Sequence, residues 1–471
     1  MQNMPEVTIA RNQGTMELWT PPWAREGIVQ PNQTHHMAAI TPLLRLLPVL
    51  LLLLPPALLK YLTASNGPAK DAGVGELHPI VLLAGLGCSD LEAQLTEAYQ
   101  PSVPRCGAMK GKGWFSLWQN TSDLLAQDYV QCFEEQMRLF YDPAINDYRN
   151  LPGVETRVPK FGSARAFHDK NPLHPKRCLD NVREALEELG YRDNDTLFEA
   201  PYDWRHVPPV PGQISRSYSQ FFQRFKELVE TASSKHEKKV IIFAHSYGGT
   251  VALEFVRNMP LAWRNRYIKH LILSAPTLSE GFMRMVQGLI SGSEHMIYVP
   301  TSDTSLRTLW RSFETSIMGL PSPKVFGHEP LVITKQRNYS AYDMEDFLAA
   351  IGLGDSIKPF RTRMIPKMNY FEAPMVPMTC MNGVGIRTPR QLLFWESDYN
   401  VSPEIVYGDG DGGVNLRSMT AFEEEMCRDP RQKRQFKSVK IYKVGHSDLV
   451  TEEGAIKRVV EEILEANRIS Y

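Results

Sequence analysis

The chain has 471 residues, 43% of them hydrophobic and 22% charged, with 52 Lys and Arg against 53 Asp and Glu for a formal net charge of -1. That composition excludes a disordered or collagen-like chain. The balanced charge offers no strongly basic face, so no nucleic acid is expected as a partner. The length suits one large α/β unit with insertions, or two to three smaller domains.

Residues 1–36 are polar, rich in Gln, Asn and Pro, and read as a disordered extension. Residues 37–65 carry a leucine-rich run broken by Arg45 and by Pro48, Pro55 and Pro56. It is too short and interrupted for a comfortable spanning helix. It reads as a secretory signal peptide beginning at Met37, with the small residues Thr63, Ala64 and Ser65 available for cleavage. An uncleaved membrane anchor or an apolar pro-segment stays open. Six cysteines and the sequons at Asn120, Asn194, Asn338 and Asn400 agree with a route through the secretory pathway. No paired C-x-x-C cluster is present, so no metal site is expected.

From residue 76 to 471 the pattern changes to alternating strands and helices. Pro79-Ile-Val-Leu-Leu-Ala84 reads as a fully buried strand. Lys239-Val-Ile-Ile-Phe-Ala244, His270-Leu-Ile-Leu-Ser274 and Val376-Pro-Met-Thr-Cys-Met381 repeat the pattern, and Phe436 to Val444 alternates as a half-covered strand would. Helical stretches fall at 179–189, 218–232, 250–258 and 453–467. This alternation predicts a mostly parallel sheet with helices on both faces. Two long stretches, 88–165 and 277–375, break the rhythm and read as insertions on the sheet.

Ala244-His245-Ser246-Tyr247-Gly248 is an x-x-S-x-G turn between a buried strand and a helix, the context of a nucleophile elbow. The tight turn needs small neighbours, which Ala244 and Gly248 provide. A serine nucleophile needs a base and an orienting acid, in the chain order Ser, Asp, His. Tyr407-Gly-Asp409-Gly-Asp411-Gly-Gly-Val414 lies about where the sheet's penultimate strand is expected to end, and it offers the acid. Asp411 is preferred and Asp409 is the alternative, expected to bond the turn backbone instead. A calcium loop is excluded, because the expected liganding positions fall on Gly413 and Thr420. His446 follows the last predicted strand and is the expected base. His245, adjacent to the serine, points away from its hydroxyl. The oxyanion donors are expected to be the backbone N–H groups of Tyr247 and of Leu86 in Gly85-Leu86-Gly87.

From about residue 78 onward the chain resembles the lecithin–cholesterol acyltransferase and lysosomal phospholipase A2 family, most closely its plant acyltransferase-like members. The resemblance rests on Gly85-Leu-Gly with Leu91-Glu-Ala-Gln-Leu95, Thr156-Arg-Val-Pro159 with Phe161-Gly162, and Ala200-Pro-Tyr-Asp-Trp-Arg205. It continues through Ala244-His-Ser-Tyr-Gly248, Gly408-Asp-Gly-Asp-Gly412 and His446. It implies the α/β-hydrolase fold and acyl transfer from a phospholipid to a sterol, another lipid alcohol or water. The implied enzyme is a monomer without cofactor or metal, acting at a membrane or lipoprotein surface, secreted or in a vacuolar or lysosomal lumen. A pure phospholipase, or an inactive lipid-binding homologue, is the alternative.

The resemblance also implies that residues 88–165 include a disulfide-closed membrane-binding insertion. Cys106 and Cys132 match its bridge, around Trp114, Phe115, Leu117, Trp118, Leu124 and Leu125. It implies a second bridge, Cys380 to Cys427, assigns no partners to Cys88 and Cys178, and makes 277–375 the cap and lid. Three departures stand out. Thr277-Leu278-Ser279 replaces Trp-Gly-Gly, Gly413 replaces Thr, and Ala84 replaces Pro.

Overall fold

The computed structural model describes residues 77–118, 127–166, 178–278, 280–291, 306–396 and 398–469. The readings made for residues 1–65 lie outside them.

Six parallel strands form the central sheet. They are β1 (Ile80–Leu83), β2 (Leu197–Glu199), β3 (Val240–His245), β4 (Ile268–Ser274), β5 (Met378–Val384) and β6 (Phe436–Tyr442), in the spatial order β6-β5-β4-β3-β1-β2. The runs β1 and β3 are buried at every position, because helices cover both faces. Alternate side chains serve opposite layers. Val81, Leu83, Val240, Ile242 and Ala244 pack into the large core, with α2 (Arg216–His236) and α3 (Tyr247–Asn258). Ile80, Leu82, Ile241 and Phe243 pack into a second core, with α1 (Asp180–Glu188) and α4 (Glu453–Arg468). This is the α/β-hydrolase architecture expected from the sequence.

The local signals explain the helices. In α2, buried Tyr218, Phe221, Phe222, Phe225, Val229 and Ala232 recur at helical spacing. The Ser215 side chain accepts the Tyr218 N–H at its start, and Glu237 ends it in a left-handed conformation.

Two features depart from expectation. Asp411 does not end a strand of the central sheet. The chain leaves β5 through Gly385, runs out along Ile386–Phe394, and returns antiparallel along Glu404–Gly410. The return brings Asp411 back to the end of β5, where a Cβ on Gly383 would lie 3.4 Å from Asp411 Cβ. The cap insertion joins this excursion, since Val332–Thr334 pairs with Leu392 to Phe394.

The second departure concerns the cysteines. Cys106–Cys132 is bridged as expected. Cys380 and Cys427 are free thiols, and Cys88 bridges Cys178 instead, with Cα atoms 5.8 Å apart. Cys380 is buried within β5, where its sulfur accepts from Asn382 Nδ2 at 3.4 Å. Burial first, and then the nearby Glu423 charge, push its thiol up to about 12.

A buried ionic cluster ties both insertions to the core. Glu314 Oε1 takes the Arg363 Nε–H at 2.7 Å, and its other oxygen takes the Val207 N–H at 2.9 Å. Arg363 also reaches Asp147 at 3.1 Å. Arg363 and Glu314 are wholly buried. Glu314→Ala leaves the buried Arg363 charge with Asp147 in place of two carboxylates and should cost about 3 kcal/mol, read as a lowered denaturant midpoint. Alkylation of the unfolded, unreduced protein should tag Cys380 and Cys427 alone. Tagging of Cys88 or Cys178 would contradict the pairing.

Candidate active site

The site lies at the carboxyl edge of the parallel strands, where loops following several strands converge. Ser246 stands between β3 and α3 at φ 56° and ψ -127°, a conformation rarely tolerated by a residue with a Cβ. The surroundings hold it there. The Ser246 N–H donates to Ser274 O at 2.9 Å, at the end of β4. The start of α3 presses on the end of β1: a Cβ on Gly248 would fall 2.5 Å from the carbonyl oxygens of Leu83 and Ala84. Only glycine fits there, which is why the elbow carries one two residues after the serine.

His446 follows β6 and reaches the serine. Its Nε2 lies 2.8 Å from Ser246 Oγ, and its Nδ1 lies 2.8 Å from Asp411 Oδ2. The Asp411 Oδ1 atom accepts the N–H groups of Gly413 at 2.9 Å and Val414 at 2.6 Å. Those bonds fix the carboxylate, so the imidazole presents Nδ1–H to it and an unprotonated Nε2 to the hydroxyl. The His446 N–H also bonds Asp411 O at 2.7 Å. Burial pulls the His446 pKa down, but the Asp411 charge and hydrogen bond outweigh it, so the pKa is raised above 6.5. Asp409 points elsewhere and accepts the Gly385 N–H at 2.7 Å. A Cβ at Gly413 would lie 3.2 Å from His446 Cγ, so a side chain there would crowd the imidazole.

The remaining positions fall beside this chain of three. Gly85 abuts Ser246, and a Cβ on it would lie 3.5 Å from the Ser246 Oγ. Residues 85–88 form a turn closed by Cys88 N–H to Gly85 O at 3.2 Å, with Gly87 at φ 79°. Leu86, inside that turn, has its N–H outside the closing bond. Tyr247 opens α3, so its N–H is one that the helix leaves without an internal acceptor. Among the described residues, no group of three or more His, Cys, Asp or Glu is placed to hold a metal ion.

The lecithin:cholesterol acyltransferase family model matches residues 114–358, about half of the chain. "Lecithin-cholesterol acyltransferase-like 1" of Oryza sativa subsp. japonica is 40% identical over 403 residues, 84% of this chain and 88% of that protein. The chain belongs to the lecithin:cholesterol acyltransferase family. A relative of the same name from Arabidopsis thaliana is 37% identical over 82% of this chain and 90% of its own length. "Lysosomal phospholipase A and acyltransferase" of Canis lupus familiaris is 31% identical over 78% of this chain and 84% of its own. The stretch matched by the family model includes Ser246 and stops short of Asp411 and His446.

The expected membrane-binding residues separate into different environments. Trp114 is 36% exposed, with the Arg157 guanidinium over its ring, and Phe115 is half-buried. Leu117 and Trp118 are buried in the main core, which removes both from any lipid-facing surface. Leu124 and Leu125 lie outside the described residues.

Sequence reasoning gave His245 no role. It is buried, and its Nε2 lies 3.1 Å from His446 O. Burial first, and then the neighbouring His446, lower its pKa to about 3, so it stays neutral and donates to that carbonyl. Its place beside the serine was visible, but its partner 201 residues away was not.

A neutral His446 imidazole acting as base, with its pKa raised by Asp411, predicts that activity falls with acid through a pKa above 6.5. Asp411→Asn should move that limb to lower pH and reduce kcat by about 10^4-fold. An unmoved limb in the variant would contradict the coupling. The check is kcat/KM against pH for both proteins.

Proposed function

We propose that the protein is a serine-dependent lipid acyl esterase and O-acyltransferase. His446 Nε2 takes the Ser246 proton as Oγ bonds to the acyl carbonyl of a phospholipid. The oxyanion sits against the N–H groups of Leu86 and Tyr247. The ester C–O bond then breaks, and His446 returns the proton to the departing glycerol oxygen. In the second half an acceptor hydroxyl, from a sterol, another lipid alcohol or water, gives its proton to His446 and bonds to the acyl carbon. Ser246 leaves and is reprotonated. Asp411 stabilises the imidazolium in both halves.

The observation that carries this reading is the continuous chain Ser246–His446–Asp411, with both links at 2.8 Å. Family membership supplies the substrate class. The Canis lupus familiaris relative combines phospholipase and acyltransferase activities in its name, and another relative from Mus musculus, 28% identical over 419 residues, is a "Phosphatidylcholine-sterol acyltransferase".

The same proposal places the protein in the lumen of the secretory route, secreted or in a vacuole or lysosome, with a membrane anchor as the variant form. Two disulfides support an oxidising compartment. Among the described residues, no helix is long and apolar enough to cross a membrane. Exposed Trp114 supports contact with a lipid surface near the Cys106–Cys132 bridge.

Vesicles of phosphatidylcholine and sterol test the reaction. The protein should release lysophospholipid together with sterol ester or free fatty acid, and the ratio of the two identifies the acceptor. Ser246→Ala should lower lysophospholipid release by about 10^4-fold or more while the fold persists. Full release by that variant would remove the serine from the mechanism.

A further inference from the structure

The loop that carries Leu86 is gripped on both sides by aromatic donors. The Tyr202 hydroxyl donates to Ala84 O at 2.7 Å. The Trp118 indole N–H donates to Gly87 O at 2.7 Å, and the Trp204 indole N–H to Ser89 O at 3.3 Å. The Tyr202 N–H also bonds Ser89 Oγ at 3.2 Å. Between these points Cys88 is bridged to Cys178. The rings are themselves held. Trp118 packs edge-on to Trp204 with centroids 4.9 Å apart, and both contact Trp310 of the cap insertion at just over 6 Å. Tyr202, Trp118 and Trp204 are all buried.

An oxyanion donor works only if its direction is fixed before the charge appears. Free rotation of the peptides flanking Leu86 would scatter its N–H. The peptide that carries the Leu86 N–H is held through its own carbonyl, Gly85 O, by the Cys88 N–H, and the next peptides out on each side, at Ala84 O and Gly87 O, each accept a hydrogen bond from a buried aromatic side chain, so the turn is braced at both ends. We infer that Trp118 and Tyr202 are positioning residues for the oxyanion hole: they hold Ala84 O and Gly87 O so that the Leu86 N–H faces Ser246. Trp118 belongs to the disulfide-stapled first insertion, which therefore completes the catalytic loop as well as offering a surface. The inference rests on the proposed roles of Ser246 and Leu86.

The test removes single donors and keeps the rings, with Trp118→Phe and Tyr202→Phe in the full chain. A water-soluble short-chain ester takes membrane binding out of the measurement. For each variant kcat should fall about ten-fold, less than the loss of an oxyanion donor outright. KM should stay within about two-fold, because the effect belongs to the transition state. The rate of Ser246 labelling by a fluorophosphonate should fall by the same factor as kcat, with final labelling unchanged.

A purely structural role for the two side chains would lower the unfolding midpoint and the final labelled fraction but leave kcat per labelled site at the wild-type value, and that result overturns the inference. So does wild-type kcat and labelling rate in both variants. Absence of Ser246 labelling in the wild-type protein would overturn the nucleophile assignment itself, and this inference with it.

Discussion

Ser246 is held at φ 56° and ψ -127°, and the strain of that backbone is offset by everything packed around it. The serine cannot relax into α3, because its N–H is bonded to the end of β4 and the helix start is jammed against the end of β1. One consequence is that the hydroxyl stands clear of the sheet, where a base can reach it. Another is that the Tyr247 N–H is left without an internal acceptor at a helix start, which favours negative charge. A sheet buried on both faces is what makes such strain affordable.

Around this rigid edge the functional loops arrive from very different distances in sequence. His446 and Asp411 are 200 and 165 residues beyond the serine, yet they meet it through two bonds of 2.8 Å. The acid loop reaches its place only because the chain makes a hairpin excursion between Gly385 and Gly410. The insertions are not appendages to this arrangement. Glu314 and Arg363 of the cap meet Asp147 of the first insertion and the backbone at Val207 in one buried ionic cluster. Such a cluster adds little net stability, but it penalises any packing that parts its members.

Strand runs such as Pro79 to Ala84 and Lys239 to Ala244 were legible because burial on both faces leaves an unbroken apolar signature. β2 was not, since Leu197–Glu199 is too short to show a period. Ser246, Asp411 and His446, which the structure joins in one hydrogen-bonded chain, were legible because small-residue turns and chain order carry their signal locally. What failed was pairing across distance. Cysteine positions do not encode partners, so the bridge between Cys88 and Cys178 had no signature, and Cys380 was read as bonded although it lies inside β5. Trp118 was read as lipid-facing because an aromatic residue in an insertion suits either a surface or a core. Its indole N–H found an acceptor 31 residues earlier, in the loop beside Ser246.

The most direct test of the central claim is an experimental structure of the protein after reaction with a lipid-like phosphonate. The account predicts a covalent bond from phosphorus to Ser246 Oγ, with the phosphoryl oxygen about 2.7–3.1 Å from the N–H groups of both Leu86 and Tyr247. An adduct on another residue, or a phosphoryl oxygen turned away from both groups, would contradict it.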